Sequence, residues 1–454
     1  MRYISYIFNL IKHLHSINNL CISNNIILLY YLKFMTDLQK RAQHIIKSNS
    51  RGDFTVPCDT LYPFQWNWDS AFCALGIYTY NKERALREID SLFNGQWENG
   101  MIPQIIFHTN NSTYFPGPEI WQSNTNPPSS CISQPPVLAT IIWYMMTLGL
   151  EDRSILNNYF DKLMKYHKWF VENRDPYNKG LLSIIHPWES GRDNSPDWDS
   201  AINVIKVDDS IHLERKDNTH IDEKERPTND DYNRYMQIVY KCKEFNWDNK
   251  KIYDEGLFNV CDPGIQFIFI RACKDLYKIA VYLQRTEYYT MLEDWIDHYS
   301  TNSNKLWNVH VNAYSSLNIK TGELHDCISC ASMLYAYANI GGKEQRNAMI
   351  KHSKRILHAT KYGFPSYDPH QKRFDSKKYW RGPVWCIINF MLSIGFASIK
   401  EIELSKKIKT NTSEMIENNG FSEYFDPYEG RGYGGDNFSW TAAVYLIFKN
   451  ELFI

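Results

Sequence analysis

The chain has 454 residues, with 50 Lys and Arg against 51 Asp and Glu and a formal net charge of -1, so nothing in its charge points to nucleic acid as a partner. With 43% hydrophobic and 22% charged residues it has the composition of a globular chain able to bury a core. Aromatics are unusually abundant, with 14 Trp and 31 Tyr, and their clustering beside carboxylates points to flat apolar ligands with hydroxyl rims, a description that sugars fit.

Residues 1–34 hold apolar clusters, Ile26 to Leu32 being the densest, interrupted by Lys12, His13 and His15. No run approaches the roughly 20 apolar residues of a membrane span, and no small-residue cleavage site follows the densest cluster. We read 1–34 as an extension outside the fold and Met35 as the functional start, leaving 35–454 as one domain. Thr36 or Asp37 can cap a helix that carries Leu38, Ala42, Ile45 and Ile46 on one face.

Next comes the aromatic loop Tyr62-Pro63-Phe64-Gln65-Trp66-Asn67-Trp68-Asp69-Ser70, running into apolar Ala71–Tyr80, and a helix over Lys82–Phe93. A second aromatic loop spans Gln96–Pro103. Residues 110–136, rich in Pro, Ser and Asn, read as a long connection ending in Ser133-Gln134-Pro135-Pro136. Helical spacing returns over Val137–Leu148 and Ile155–Arg174.

His186 to Pro196 has Pro near both ends and Gly191 in the middle, so it reads as a shaped loop. It packs Trp188, Glu189, Arg192 and Asp193 together, and loops on rigid scaffolds are where reactive groups sit. Lys206–Asp230 is charged and aperiodic, as a solvated surface insertion would be. Helical patterns then cover Tyr232–Cys242, Gly264–Gln284, Glu287–Thr301, Ile328–Ile340, Gln345–Thr360, Trp385–Ala397, Ser405–Asn418 and Ser439–Phe448. Strand-period alternation is rare. About a dozen helices with no dividing linker predict a single all-α domain of paired helices, and closing the pairs into a ring places the loops at its ends.

The ten cysteines are too scattered for a disulfide framework. Cys327 and Cys330 form a lone C-x-x-C, which reads as two small buried residues rather than half of a metal site. Without such a framework or a clear signal segment, cytoplasmic placement is the default expectation.

Five loops share a composition of Trp or Tyr, amides and carboxylates: those at Trp66–Asp69, Gln96–Gly100, His186–Pro196, Tyr379–Trp385 and Glu423–Pro427. Isolated Gln134 joins them by position rather than by composition. Together they describe a carbohydrate cleft. Breaking a glycosidic bond needs a proton for the leaving oxygen and a base or nucleophile across the sugar ring. Asp193 and Glu423, from distant loops, are the pair we favour, with Glu189 and Asp69 as competitors. A carboxyl separation of about 6.5–9.5 Å admits a water and means inversion; about 5–5.5 Å means retention. Apolar burial beside Trp188 favours Asp193 as the acid, and a nearby Arg192 opposes it.

At these residues the sequence resembles a known family. Tyr62 to Phe72, His186 to Pro196, Tyr379 to Trp385 and Glu423 to Trp440 are similar to the glycoside hydrolases that include glucosidase I and mannosylglycerate hydrolase. Glu189-Ser190-Gly191-x-Asp193 and Tyr379-Trp380-Arg381-Gly382-Pro383 resemble trehalases more distantly. The resemblance runs from about Met35 to the C-terminus and is nearest to the small, single-domain mannosylglycerate hydrolase type.

It implies an (α/α)6 barrel, an inverting mechanism, Asp193 as general acid, Glu423 as general base, and neither metal nor cofactor. It implies that Tyr62, Trp66, Asn67, Trp68, Asp69, Gln134, Gly191, Arg226, Tyr379 and Trp380 hold sugar and glycerate. Trp188, Glu189 and Arg381 join them as candidate contacts from the shared loops. A guanidinium at 226 suits a glycerate carboxylate better than it suits a bare solvated surface. The expected partner is thus a small-molecule carbohydrate, with no membrane involved. Two alternatives stay open: a trehalase-like α-glucosidase acting on neutral sugars, and a carbohydrate-binding protein without catalysis. Asp197, Asp199 and Tyr428 to Arg431 depart from the family pattern and put the leaving-group preference in doubt.

Overall fold

A computed structural model describes residues 36–450 apart from 110, 112, 209–210 and 212–221. The reading of 1–34 as an extension therefore lies outside the described residues, as does part of the charged stretch after Lys206.

Two kinds of helix alternate along the chain. The first kind is buried nearly all round: α2 (Asn67–Tyr78), α4 (Leu138–Thr147), α8 (Pro263–Leu283), the short pair α10 (Cys330–Met333) and α11 (Tyr335–Ala338), α13 (Cys386–Ser398) and α15 (Ser439–Phe448). Every residue of α2 and of α15 is buried. A helix with no polar face can only sit inside a core. The second kind buries one stripe: α1 (Asp37–Ser48), α3 (Lys82–Asn94), α5 (Arg153–Arg174), α9 (Tyr289–Asn302), α12 (Lys343–Ala359) and α14 (Ile402–Asn419). In α1 the buried residues are Ala42, Ile45 and Ile46, and Thr36 caps it in a reciprocal box with Gln39.

The buried helices form a closed ring. α2 packs on α4, α4 on α8, α8 on α11, α11 on α13, α13 on α15, and α15 returns to α2. Amphipathic helices lie outside it, with α3 against α2, α5 and α9 against α8, α14 against α13 and α1 against α15. This is the (α/α)6 barrel expected from the sequence. Among the described residues, α6 (Asn229–Glu244), α7 (Asn249–Glu255) and two four-residue helices, Pro118–Trp121 and Asp199–Ile202, stand outside the twelve-position ring. The Ile328–Ile340 pattern, expected as one helix, is broken at Leu334 into α10 and α11.

Short antiparallel strand pairs lash the loops together. β1 (Gln65–Trp66) pairs with β2 (Ile105–Ile106); β4 (Val260–Cys261) lies between β3 (Ser183–Ile184) and β5 (Leu317–Asn318); and β6 (Tyr424–Phe425) pairs with β7 (Gly432–Tyr433). No described helix is long and apolar enough to cross a membrane.

The chemistry-bearing residues gather at one end of the ring. Trp68 and Asp69 open α2, Gln134 precedes α4, Asp262 and Ser329 cap α8 and α10, Trp385 precedes α13, and Trp440 lies in the first turn of α15. The inner helices thus aim their N-terminal ends at a common centre, where their partial positive charge favours bound anions and polarised oxygens.

Candidate active site

At that centre lies a cavity of about 320 Å³, a size suited to a small molecule. Tyr62, Trp66, Trp68, Asp69, Gln134, Trp188, Gly191, Asp193, Arg226, Tyr379 and Glu423 all line it. Residues scattered over 361 positions of sequence, from Tyr62 to Glu423, are thereby brought together, and one direct hydrogen bond links the two extremes.

Glu423 sits just ahead of β6 and is buried. Tyr62 donates its hydroxyl to Oε1 at 2.9 Å, Tyr379 donates to the same oxygen at 3.4 Å, and the Gly435 N–H donates to Oε2 at 3.0 Å. The Arg226 guanidinium stands 3.7 Å from Oε1 and stacks over the Tyr379 ring, 4.1 Å from its centroid. Burial pushes the Glu423 carboxyl above its ordinary range; Arg226 first, then these donors, pull it partly back.

Asp69 is also buried, and burial followed by the Glu423 charge pushes its carboxyl well above the usual range, opposed by its own backbone N–H. The two environments separate the roles. Glu423 has a cation and three donors for a negative charge, whereas Asp69 has little to support one.

Asp193 is half-buried on the opposing loop, where its carbonyl oxygen accepts from the Trp198 indole N–H and the Tyr235 hydroxyl, each at 3.1 Å. Next to it, Asn194 Oδ1 accepts from the Trp380 N–H at 3.0 Å. The guanidinium of its other neighbour, Arg192, is paired with Asp197 and Asp262 at 2.6 Å each.

Tyr379 adopts φ +32°, a left-handed conformation that costs a bulky residue about 1–3 kcal/mol. The surroundings hold it there: its N–H donates to the Glu225 carbonyl at 3.0 Å, and Trp385 donates its indole N–H to the Tyr379 carbonyl at 3.2 Å. One strained residue thus joins Glu423, Arg226 and the backbone that carries Arg226.

Four expected contacts lie outside the cavity lining. The Glu189 carboxylate is engaged away from the lining: Arg174 donates to it from Nε and from Nη2 at 2.5 Å, and the N–H groups of Ile185 and Ser133 donate at 2.9 and 3.3 Å. A carboxylate buried this deeply must be paired, and this one locks its loop to α5 and to the segment carrying Gln134. Asn67 spends its amide on the Ile102 carbonyl at 3.3 Å and the Tyr166 hydroxyl at 3.1 Å. Trp380 stacks on Trp385 with centroids 3.8 Å apart and planes at 4°, behind the wall. Arg381 forks onto Asp199.

The acidic departures have the same explanation. Asp197 serves Arg192, and Asp199 serves Arg373 and Arg381. Tyr428 to Arg431 are not part of the lining. Tyr114, Phe115, Tyr232, Phe438 and Trp440 line the cavity, although the sequence pattern does not single them out. Tyr114 and Phe115 sit in the segment read as plain connection, where an aromatic pair amid Pro, Ser and Asn was the available signal.

Gly191 has φ +67°, and a Cβ there would lie 2.4 Å from the Trp68 ring. Gly191→Ala should therefore push Trp68 out of the sugar wall, lowering kcat/KM at least ~10-fold and the thermal midpoint by several degrees, as enzyme assays and melting curves will show; a variant with wild-type kcat/KM would refute this packing argument.

Among the described residues, no group of three or more His, Cys, Asp or Glu side chains is placed to hold a metal ion. The nine described cysteines are all buried and none forms a disulfide; Cys327 donates its thiol to Asp197 at 2.9 Å.

Comparison with known proteins matches residues 62–441 to the mannosylglycerate hydrolase MGH1-like glycoside hydrolase domain. A mannosylglycerate hydrolase of Thermus thermophilus is 39% identical over 412 residues, covering 89% of this chain and 99% of that protein. The glucosylglycerate hydrolase of Mycolicibacterium hassiacum is 32% identical over 444 residues, covering 90% and 97% respectively. The crystal structure of a GH63 mannosylglycerate hydrolase from Thermus thermophilus in complex with Tris and D-glycerate superposes with a TM-score of 0.88 at 38% identity, covering 91% of this chain and 100% of that one.

Proposed function

The chain belongs to the mannosylglycerate hydrolase MGH1-like glycoside hydrolase family, and from that premise we propose that it hydrolyses a small α-glycoside of glycerate, mannosylglycerate or glucosylglycerate, with inversion. The observation that carries the substrate reading is Arg226. Its guanidinium is buried on the cavity wall among Tyr62, Tyr379 and Glu423, where an anionic aglycone would meet a charge already stripped of water. Relatives named for mannosylglycerate and for glucosylglycerate support the same aglycone.

In this reading the sugar lies against Trp66, Trp68 and Trp440, and neutral Asp69 donates to one of its hydroxyls. Asp193 transfers its proton to the glycosidic oxygen as the C1–O bond breaks. Glu423 takes a proton from a water that attacks C1 from the opposite face, and its hydrogen bond with Tyr62 orients it for that step. The products are glycerate and a sugar whose anomeric hydroxyl is initially β. Exchange with solvent then returns a proton to Asp193 and removes one from Glu423.

An NMR time course of the anomeric signals with mannosylglycerate, glucosylglycerate, trehalose and maltose tests this. Initial β-sugar from a glycerate substrate is the expected result, whereas initial α-sugar would remove the role given to Glu423 and its water. Turnover confined to trehalose or maltose would transfer the substrate to the neutral α-glucosidase reading. Arg226→Ala separates the two by another route. It should lower kcat/KM for the glycerate glycoside by ~10–10²-fold, the value of a charge-assisted pair of about 1.5–3 kcal/mol. A neutral substrate should lose far less; equal losses on both would remove Arg226 from aglycone recognition.

A further inference from the structure

Arg192 directly precedes Asp193 yet does not line the cavity, and nothing in the reaction described above uses it. It is one of the most deeply buried cations in the protein, with 2% of its side chain exposed. Nη1 donates to Asp197 Oδ2 at 2.6 Å and to Ser195 Oγ at 3.2 Å, and Nη2 donates to Asp262 Oδ1 at 2.6 Å.

Each carboxylate is fixed to the cap of an inner helix, Asp262 directly and Asp197, which lies in the turn just after the loop, through a hydroxyl. Asp262 is the N-cap of α8 and accepts from the N–H groups of Gly264 and Ile265 at 3.1 and 3.3 Å. Asp197 accepts at 2.8 Å from the hydroxyl of Ser329, the N-cap of α10. A single guanidinium therefore ties the loop to the first turns of two adjacent inner helices. The fit is close, since a Cβ added at Gly264 would come within 3.5 Å of Arg192 Nε.

The same residue also reaches Asp193 from the other side. Its guanidinium stacks over Trp198, 5.2 Å from the ring centroid, and Trp198 is the indole that donates to the Asp193 carbonyl. Asp193 is thus set by its neighbour's side chain through the peptide link and again through Trp198. With two carboxylates around one guanidinium, the group directs its charge into the frame and leaves none for the cavity.

We propose that Arg192 is the positioning residue of the general acid, fixing the Asp193 backbone against the caps of α8 and α10 so that its carboxyl meets the glycosidic oxygen. This rests on the reading of Asp193 as the acid. Proton transfer tolerates little misplacement, so loosening the tie should weaken protonation of the leaving group more than binding or water attack.

The test compares two substrates with the same sugar: the glycerate glycoside, whose alkoxide needs a proton to depart, and the glycosyl fluoride, whose leaving group needs little. Arg192→Lys keeps the charge but loses the fork, and Asp262→Asn keeps a capping side chain while weakening the tie. Each is assayed where circular dichroism shows it folded. We expect kcat for the glycoside to fall ~10²-fold, with KM and fluoride hydrolysis within ~3-fold of wild type. Asp193→Asn is the reference and should show the same selective loss.

If Asp193→Asn shows the split while both tie variants lose the two substrates in parallel, or lose neither, the positioning role is overturned and the acid reading stands. If Asp193→Asn itself shows no split, the acid reading fails and the role of Arg192 fails with it.

Discussion

Glu423→Gln should lower kcat by ~10²–10⁴-fold, the range for removing a positioned general base, with KM changed only a few-fold. Gln keeps the shape, and its single carbonyl oxygen can still accept from Tyr62 while its NH2 gives up the bond from the Gly435 N–H, so the loss reports the missing charge and one missing acceptor rather than a collapsed wall. Retention of more than a tenth of wild-type kcat on the same substrate would remove Glu423 as the base. The pH dependence follows from the environment of the same group. Burial raises the Glu423 carboxyl and Arg226 is the first cause pulling it down, so the acidic limb of kcat/KM should lie above the ordinary glutamate value of 4.5. Because Glu423 works ionised, activity falls as pH drops through that limb. Arg226→Ala removes the cation and should move the limb to higher pH; movement to lower pH would contradict this assignment. The stability effect has the opposite sense. A carboxyl with a raised folded-state value favours the protonated fold, so its contribution is fully present below the unfolded value and is lost as pH rises through the folded one.

Asp193→Asn should cost ~10²–10⁴-fold in kcat on a glycerate glycoside and, in addition, flatten the descending limb of the pH profile, because no titrating acid remains. Glycerate is a poor leaving group without a proton, so the loss should grow with leaving-group basicity across a series of glycosides. A uniform loss across that series would mean that Asp193 binds or shapes the cavity instead. Trp198 and Tyr235 grip Asp193 by its backbone carbonyl, whereas Tyr62, Tyr379 and Gly435 act on the carboxylate of Glu423 itself. The two carboxyls are thus supported differently, which fits the different tasks proposed for them.

The barrel was legible because its two helix types differ in pattern. α2, α13 and α15 are apolar nearly all round, α1 and α3 carry a single stripe, and alternation between the two types along a chain has few ways to close. The site was legible to the extent that its residues are chemically rare. Trp66, Trp68, Asp193, Tyr379 and Glu423 stand out by type and neighbourhood, and all line the cavity. What the sequence does not show is the distinction between a polar residue that lines the cavity and one that faces the frame. Glu189 and Arg381 lie in the same loops as true lining residues and look alike in sequence, but their partners, Arg174 and Asp199, are 15 and 182 positions away. Pairing over such distances leaves no local trace. At Arg226 the charged neighbours pointed to a solvated face and the family resemblance to a ligand contact; the side chain is buried on the cavity wall beside Tyr379 and Glu423.

The ring closes between its sequence extremes, α15 on α2 and α1 on α15, and the loop that bears Glu423 comes only after α14. On a ribosome, the aromatic walls and the acid loop emerge well before the base. A nascent chain halted after α13 carries most of the cavity lining but not Glu423, the base we propose. The innermost apolar face of α2 then waits for its last neighbour, α15, in the manner of an arch without its final stone. The last stretch of chain, from Glu423 to the end of α15, thus both closes the core and brings the second carboxyl into the cavity.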